Sequence, residues 1–450
     1  MKSPSPISPH LSRRQFCQRT VATAAAIAAP AFLRGRNLNS RLNIAMIACG
    51  KRGAANLKGV ASENITLLCD VDEKAVAAAA QLHPKARQLF DFRKAFEHAN
   101  EFDAVVVSTC EHTHATATMM ALGHKKHVYC EKPLTHNVHE ARVVREAAAS
   151  AGVVTQMGIQ HHASDHARRA VELIQGGAIG PVHEVHVWTS RAWGLQSAEE
   201  RAAAKDVHHV AEIPVAASAP ASFHWDLWLG PAPFRPFSDC YVPGPRWYRW
   251  WAFGNGTMSD IGSHNNDLPF WALKLKAPLT VESFGPGPAH AEIAPATMRT
   301  VYEFGPRGEL PPVRLVWYQG NVKPDRWNQR EIEQTPNGTL FVGRKGMLHV
   351  DGQRRMLLPQ KTFDGFVPPT PTLPSVASHY AEWIDACKGR GRALADFEYS
   401  GWLTESNHLG NVAYRVGKKL LWDTAAMRAS NAPEADPFLR REYRKGWSLA

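Results

Sequence analysis

Short apolar runs alternate with helical stretches from Arg41 to about Ile159. The apolar runs are continuous rather than alternating, as expected for strands that are covered on both faces. Strands are predicted at Asn43–Ala48, Thr66–Cys69, Ala104–Ser108, His127–Cys130 and Val153–Ile159. Helices are predicted between them at Gly53–Ser62, Glu73–Leu82, Thr113–Leu122 and His136–Ser150. Alternating units of this length indicate a doubly wound α/β domain with a parallel sheet.

Beyond residue 160 the pattern changes and predicts a second domain. A helix is predicted at Ser164–Ile174, and Val182–Thr189 alternates apolar and polar residues as a half-exposed strand does. Further strands are predicted at Thr280–Phe284, Arg299–Phe304, Val313–Tyr318, Thr339–Val342 and Met347–Val350, and helices at Ser375–Cys387 and Trp402–Val416. Strands grouped in this way indicate an α+β domain with a large, mostly antiparallel sheet.

The first 36 residues differ from the rest of the chain in charge and in pattern. They hold six basic residues and no acidic one, so they account for more than half of the net charge of +11. The sequence Ser12-Arg13-Arg14-Gln15-Phe16 precedes an alanine-rich run, Val21–Leu33, that is too short to span a bilayer. These features resemble a twin-arginine (Tat) signal peptide and predict export to the periplasm or another extracytoplasmic space. The alternative is a disordered basic tail.

The chain is therefore divided into a signal (residues 1–36), a first domain (41–160), a second domain (161–395) and a C-terminal helix and tail (396–450). Without the leader the basic excess is small, so nucleic-acid binding is not predicted. No further stretch reaches transmembrane length. The seven cysteines lack metal-binding CxxC spacings, which favours buried, reduced thiols over a metal site.

A glycine-rich turn, Ala48-Cys49-Gly50-Lys51-Arg52-Gly53, lies between the first predicted strand and helix. It is a GxGxxG pattern in which Ala48 takes the place of the first glycine. Gly50 lets the backbone approach a pyrophosphate, and Gly53 allows close packing of helix on strand. The helix N-terminus would then present free N–H groups to the phosphates. The turn and its context predict a Rossmann dinucleotide-binding domain.

Asp70 ends the second predicted strand, twenty residues after Gly50. A carboxylate at this position binds the ribose 2′-hydroxyl of NAD and repels a 2′-phosphate, so NAD is favoured over NADP. Arg52 argues against this preference for NAD, because an arginine near the turn can bind the 2′-phosphate of NADP.

Tyr129-Cys130-Glu131-Lys132-Pro133 follows directly on a predicted strand, and so lies at the carboxyl edge of the sheet where ligands bind. A lysine there can hydrogen-bond a hydroxyl and stabilise an alkoxide as hydride leaves. The alternative is a solvated Glu-Lys pair.

Asp260, His264 and Asp267 form the third pattern. On a helix Asp260 and His264 share a face, and Asp267 is near that face. A histidine beside a carboxylate is suited to accept a hydroxyl proton. The alternative is a helix-cap or core histidine.

Together these three patterns resemble the Gfo/Idh/MocA oxidoreductases from about Leu42 to Ala413. The segment Asp103–Asn137, with Glu131-Lys132-Pro133, and the Asp-x-x-x-His spacing of Asp260 and His264 carry the likeness. The resemblance implies that Lys132 and His264 are the catalytic pair and that Asp260 orients the substrate or the histidine. The cofactor-binding set it implies is Gly50, Lys51, Arg52, Gly53, Asp70, Thr109, His114, Glu131, Lys132 and Pro133.

The run Arg246-Trp247-Tyr248-Arg249-Trp250-Trp251 lies shortly before Asp260. Aromatic faces can stack on a sugar and arginines can bind its hydroxyls, so Trp251 and Asp267 are the candidate substrate contacts. Core or interface packing is the alternative for the aromatic residues.

Three functions fit these residues. The first is an exported NAD-dependent oxidoreductase that acts on a sugar, polyol or derivative. The second is a glycosidase that holds NAD tightly and transiently oxidises a sugar hydroxyl. The third is a dinucleotide- or sugar-binding protein without catalysis, which the presence of both Lys132 and His264 disfavours. A homo-oligomer could form through the antiparallel sheet.

Overall fold

Six strands form a parallel sheet in the order β3-β2-β1-β4-β5-β6. They are β1 (Asn43–Ile47), β2 (Asn64–Cys69), β3 (Arg87–Leu89), β4 (Ala104–Val107), β5 (His127–Glu131) and β6 (Thr155–Gly158). The five strands predicted for this domain are confirmed. The edge strand β3 escaped prediction because it has three residues, of which two are exposed. The strand order reverses between β1 and β4, and ligands of open α/β sheets bind beside such a point.

Helices cover both faces of this sheet. They are α1 (Arg52–Gly59), α2 (Glu73–Leu82), α3 (Phe92–Ala95), α4 (Glu111–Gly123) and α5 (Val138–Ala151), with a 3₁₀ turn at Phe96–Glu101. Ile44 and Met46 of β1 pack in one buried cluster, while Ala45 and Ile47 pack in another. Burial on both faces explains why the strand sequences are continuously apolar.

The second sheet has nine strands in the order β13-β12-β11-β7-β10-β9-β8-β14-β15. They are β7 (Val182–Thr189), β8 (Thr280–Phe284), β9 (Met298–Phe304), β10 (Val313–Gln319), β11 (Asn337–Gly343), β12 (Met347–Val350), β13 (Arg355–Leu358), β14 (Leu420–Asp423) and β15 (Arg428–Ala429). Neighbouring strands are antiparallel except for β7 and β10. The predicted mostly antiparallel sheet is confirmed.

The structure is a computed structural model that describes residues 41–195, 216–242, 244 and 246–449, so the predicted signal lies outside the described residues. The remaining helices are α6 (Asp165–Gln175), α7 (Trp225–Leu229), α8 (Gly256–Asp260), α9 (Gly262–Asn265), α10 (Asp267–Leu273), α11 (Asp325–Asn328), α12 (His379–Cys387), α13 (Phe397–Val416) and α14 (Asp436–Leu439). Four 3₁₀ turns lie at Gln160–Ala163, Arg246–Arg249, Gln360–Phe363 and Pro433–Ala435.

The end of the chain returns to both sheets. Trp383 of α12 packs in the same cluster as Ile44 and Met46. This helix was assigned by sequence to the second domain, but its apolar face packs against the first sheet. Glu405 of α13 pairs with Arg142 of α5, and β14 extends the second sheet beside β8. Residues of this C-terminal segment thus contact both domains.

Two sequence features have simple structural outcomes. Cys49, Cys69 and Cys130 are buried and free near the ends of strands, as predicted, whereas Cys110, also predicted to be buried, is partly exposed. No helix within the described residues is long and apolar enough to cross a membrane.

Candidate active site

The glycine-rich turn connects β1 to α1 through two residues with left-handed backbone. Ala48 has φ 71° and Lys51 has φ 46°. The Gly53 amide donates to the Gly50 carbonyl at 2.8 Å. A Cβ on Gly53 would lie 2.2 Å from the Ala48 carbonyl oxygen, so only glycine fits there. The turn therefore keeps its Rossmann form, with an alanine in the conformation that the first glycine usually takes.

Asp70 binds the turn from the end of β2. Its Oδ2 accepts hydrogen bonds from the backbone amides of Cys49 (2.7 Å) and Gly50 (3.1 Å), and Oδ1 accepts from the amide of Asp72 (3.0 Å). Burial raises the pKa of Asp70, and these amides oppose that effect. The carboxylate lies beside the turn, where the sequence predicts the ribose contact.

Arg52 and Glu131 form an ion pair between α1 and the end of β5. Arg52 Nε donates to Glu131 Oε1 at 3.0 Å, and the amides of Asn56 and Gln160 donate to the same oxygen at 3.0 Å each. The carboxylate is buried. Arg52, which could have favoured NADP by binding a 2′-phosphate, is therefore paired with Glu131. Asp70 remains the residue that indicates NAD.

Lys132, at the end of β5, reaches Asp260 at the end of α8. The Lys132 ammonium donates to Asp260 Oδ1 and, at 3.2 Å, to the Tyr248 hydroxyl. The side chains of Lys132 and Asp260 are 10% and 7% exposed. Burial alone would lower the pKa of Lys132, but the charge of Asp260, its hydrogen bond and the charges of Tyr248 and Glu131 together outweigh burial and raise the pKa. The raised pKa favours the protonated form of Lys132, whose ammonium can donate hydrogen bonds.

His264 is the neutral group of the site. Helices α8, α9 and α10 follow one another, and the amide of Asn265 donates to the carbonyl of Ile261 at 2.9 Å, which keeps this run helical. His264 therefore lies one turn beyond Asp260, as predicted. Burial, followed by the positive charge of Lys132, lowers the pKa of His264 to about 3. The imidazole is therefore neutral near pH 7.

An aromatic wall surrounds Asp260. Trp193 Nε1 donates to Asp260 Oδ2 at 2.5 Å. The Trp193 and Tyr248 rings stack with centroids 5.7 Å apart, and the Trp247 ring centroid lies 3.9 Å from that of Tyr248. The sequence pointed to aromatic residues in this region but not to Trp193, which follows β7 without any local motif. The wall provides apolar faces suited to the C–H surfaces of a sugar.

Glu111 is a buried carboxyl group that the sequence analysis did not select. It is the first residue of α4, and its Oε1 accepts from the Ser259 hydroxyl at 3.2 Å. Burial raises the pKa of Glu111 to about 8, with the charge of Lys132 opposing this rise and that of Asp260 adding to it. The rule that ligands meet the carboxyl ends of parallel strands would have drawn attention to this position, three residues after Ser108.

A cavity of about 940 Å³ brings together the groups described above, except for Glu111, which does not line it. Seven residues of the predicted cofactor set line it: Gly50, Lys51, Arg52, Asp70, Thr109, Glu131 and Lys132. Asp260 and His264 line it too, with Trp193, Tyr248 and Gln160. Because the Rossmann turn, Asp70 and the Lys132–Asp260 pair open onto one space, the residues present fit a dinucleotide and a small polar substrate side by side.

Neither of the two predicted substrate contacts, Trp251 and Asp267, lines this cavity. Trp251 is 6% exposed, and its Nε1 donates to the His290 carbonyl oxygen at 3.0 Å. Asp267 is 3% exposed and accepts from the Tyr399 hydroxyl at 2.6 Å, with His162 Nδ1 2.9 Å away. Both side chains are therefore buried and hydrogen-bonded within the chain.

Three residues of the predicted cofactor set do not line the cavity: Gly53, His114 and Pro133. Gly53 packs α1 against the turn. His114 is buried, with Nδ1 2.7 Å from the Pro133 carbonyl oxygen and Nε2 3.0 Å from that of Thr109. Pro133 follows Lys132 through a cis peptide bond. His114 and Pro133 do not line the cavity, and His114 contacts the two loops that carry Thr109 and Lys132.

A metal centre was not predicted. Within the described residues, no group of three or more His, Cys, Asp or Glu side chains is placed to hold a metal ion.

Comparison with known proteins agrees with this architecture. Residues 42–159 match the Gfo/Idh/MocA family model, described as "Oxidoreductase family, NAD-binding Rossmann fold". Inositol 2-dehydrogenase 1 of Mycolicibacterium vanbaalenii is 33% identical over 156 residues, which are 33% of this chain and 45% of that protein. The chain spans less than half the length of the curated relatives it matches first. The match therefore covers the Rossmann domain, which is of the NAD-binding type.

Solved structures extend the likeness of fold to both domains. The WlbA dehydrogenase of Bordetella pertussis, in complex with NADH and UDP-GlcNAcA, has a TM-score of 0.58 at 15% identity, covering 85% of this chain and 99% of that one. An inositol dehydrogenase homolog from Azotobacter vinelandii, complexed with NADH and myo-inositol, has a TM-score of 0.56 at 15% identity, covering 85% and 98%.

Proposed function

We propose that this protein is an NAD-dependent oxidoreductase that transfers hydride between the nicotinamide and a hydroxyl-bearing carbon of a sugar, polyol or derivative. The observation that carries the proposal is the single cavity shared by the Rossmann turn, Asp70, the Lys132–Asp260 pair and His264. The match of residues 42–159 to NAD-binding oxidoreductases supports it.

The residues of the site have different roles at the reacting hydroxyl. When bound, NAD supplies the hydride acceptor. The Lys132 ammonium, held by Asp260 and Tyr248, donates a hydrogen bond to the substrate oxygen and stabilises its developing negative charge. The neutral imidazole of His264 accepts the hydroxyl proton. The aromatic wall excludes water from one side of the substrate.

Enzyme turnover with a panel of sugars and polyols tests this proposal. We expect NADH absorbance to appear with at least one substrate, and His264→Gln to lower kcat by about 10²–10⁴-fold, the usual contribution of a general base. Arg314→Gln is the matched control, since Arg314 lies on an exposed position of β10 beside Glu303. NAD binding without any turnover would indicate the non-catalytic alternative.

A second candidate, a redox-neutral glycosidase, is favoured by a chain segment laid over the cavity. Residues 216–242, here the cover segment, meet the loop after Asp70. The Glu73 amide donates to the Ser222 carbonyl at 3.0 Å, and the His224 amide donates to that of Val71 at 2.9 Å. Such a cover favours a cofactor that stays bound, as a reaction that returns its hydride requires.

In that reaction a sugar hydroxyl is oxidised, the aglycone leaves by elimination, water adds, and the hydride returns to the sugar. The net change is hydrolysis. Incubation with aryl glycosides separates the candidates: aglycone release without net NADH supports the glycosidase, and net NADH supports the dehydrogenase.

Export of the folded, NAD-loaded chain is part of the same proposal. Its support is the sequence Ser12-Arg13-Arg14-Gln15-Phe16. Replacing Arg13 and Arg14 by lysine keeps the charge and is expected to retain the protein in the cytoplasm. The same replacement at Arg34 and Arg36 is the control. Cell fractionation gives the readout, and export of the Arg13/Arg14 variant would contradict the proposal. A homo-oligomer stays a prediction for light scattering.

A further inference from the structure

The charged side chains nearest the proposed position of the reacting hydroxyl are neutralised within the chain. Lys132 is paired with Asp260, and Arg52 is paired with Glu131. Asp70 accepts its hydrogen bonds from backbone amides near the turn. A substrate that meets only these groups would be selected by its hydroxyls and not by charge.

Arg191 also lines the cavity and has no acidic partner among the described residues. Its guanidinium carbon lies 5.8 Å from the centroid of the Trp193 ring, whose Nε1 donates to Asp260. One indole ring therefore separates Arg191 from the Lys132–Asp260 pair. Within the described residues, no side chain forms an ion pair or hydrogen bond with the Arg191 guanidinium. A guanidinium is a planar fork that binds carboxylate or phosphate oxygens in pairs.

The backbone on either side of Arg191 is fixed. Its amide donates to the Thr189 hydroxyl at 3.1 Å, and that hydroxyl donates to Asn337 at 2.6 Å. The amide of Trp193 donates to the Thr257 hydroxyl at 2.7 Å. The arginine is thus presented from the end of β7 on a segment bonded to both β11 and α8. The contrast is Arg249, which also lies over Trp193 but donates to the Arg246 carbonyl at 3.0 Å.

We propose that the substrate is an anionic sugar, whose carboxylate or phosphate binds Arg191 across Trp193 while its reacting hydroxyl meets Lys132 and His264. The inference rests on the proposed function for the place of the reacting hydroxyl. It adds the chemical class of the substrate: a sugar acid or a sugar phosphate rather than a neutral sugar or polyol. The carboxylate or phosphate does not react, and its role is recognition.

Equilibrium binding to the NAD-loaded protein tests this inference without need of turnover. Trp193 and Trp247 line the cavity, so tryptophan fluorescence reports occupancy. The probes are matched sets of glucose, glucuronate and glucose 6-phosphate, and of galactose, galacturonate and galactose 6-phosphate. We expect at least one acidic member to bind about tenfold or more tightly than its neutral parent, as a charged hydrogen bond allows. Whether the uronate or the sugar 6-phosphate binds more tightly shows whether the site prefers a carboxylate or a phosphate.

Variants assign the preference to Arg191. Arg191→Gln is expected to abolish the difference between acidic and neutral members, and Arg191→Lys to retain part of it. Arg314→Gln should leave it unchanged. Equal or weaker binding of every acidic member, absence of binding by all of them, or a preference that persists in Arg191→Gln overturns the inference. Oxidation of neutral sugars in preference to acids defeats this inference alone, whereas Arg191-dependent binding without any turnover defeats only the proposed function.

Discussion

Lys132 and Asp260 form a buried ion pair that joins the end of β5 in the first domain to the end of α8 in the second. Each charge compensates the other where water is largely excluded. Burial alone would raise the pKa of Asp260, yet the charge of Lys132 and its hydrogen bond hold it below the ordinary value. The pair therefore fixes the donor to the substrate and also links the two domains.

Lys132→Met is expected to abolish turnover and to destabilise the fold. Removing one partner of a buried pair leaves an uncompensated charge, which costs about 3–5 kcal/mol. Thermal or denaturant unfolding measures the loss. The double variant Lys132→Met/Asp260→Asn is the control and should recover part of the stability without recovering turnover. A single variant as stable as the parent would contradict the compensation argument.

Glu111→Gln is expected to change the pH dependence of stability. The pKa of Glu111 is raised to about 8 by burial, so the folded state favours the protonated carboxyl. This favourable contribution is complete below the ordinary pKa of 4.5 and is lost as pH rises to about 8. Every tenfold difference in the acid dissociation constant between the folded and unfolded states corresponds to about 1.4 kcal/mol of stability.

Glutamine cannot ionise, so the free energy of unfolding of the variant relative to the parent should be higher at pH 9 than at pH 5. Urea titrations at the two pH values measure this difference. Lys132 and Asp260 are the charged groups that act on Glu111, so Glu111→Ala, which also removes the hydrogen bond from Ser259, serves as the comparison. An unchanged difference between parent and Glu111→Gln at the two pH values would refute the raised pKa.

Wild-type kcat/KM should show no acid limb that belongs to His264 in the range where histidines usually titrate. Burial and Lys132 lower its pKa to about 3, so the imidazole is already neutral at pH 5 and stays neutral as pH rises. A pH–rate profile with NAD in excess measures this. A histidine-like transition near pH 6.5 that disappears in His264→Gln would show that the imidazole is charged in the free enzyme.

The two ends of the glycine-rich turn should respond in opposite ways. Gly53→Ala places a methyl group 2.2 Å from the Ala48 carbonyl oxygen and should weaken NAD binding and cost about 1–3 kcal/mol of stability. Ala48→Gly relieves a left-handed alanine at φ 71° and should leave stability unchanged or raise it by up to about 1 kcal/mol. Fluorescence titration with NADH and thermal unfolding measure both effects. A tolerated Gly53→Ala would contradict the close packing.

Asp267→Asn should affect the fold rather than the substrate. Asp267 meets His162 and Tyr399 in the core, and His162 stacks on Trp271 with ring centroids 3.7 Å apart. We expect a lower midpoint of unfolding with KM unchanged. Tyr399→Phe removes one of the same hydrogen bonds and is the matched comparison. A large rise in KM without loss of stability would restore Asp267 as a substrate contact.

The sequence by itself determined the parallel sheet, the second mostly antiparallel sheet, and the places of Gly50, Asp70, Lys132 and His264. These follow from local rules: continuous apolar runs indicate buried strands, and parallel strands present their carboxyl ends at one edge. A spacing of four residues places Asp260 and His264 on one face of a helix. Such relations need only the neighbouring chain.

Tertiary structure alone decided which side chains share the cavity. Trp193 and Arg191, which line the cavity, lie 67 and 69 residues from Asp260 in sequence, and no periodicity relates them to it. Burial was not predictable from local patterns either, because Trp251 and Asp267 satisfy those patterns yet are buried and do not line the cavity. A side chain's direction depends on which elements pack against its own, and that choice is made by burial between residues distant in the chain.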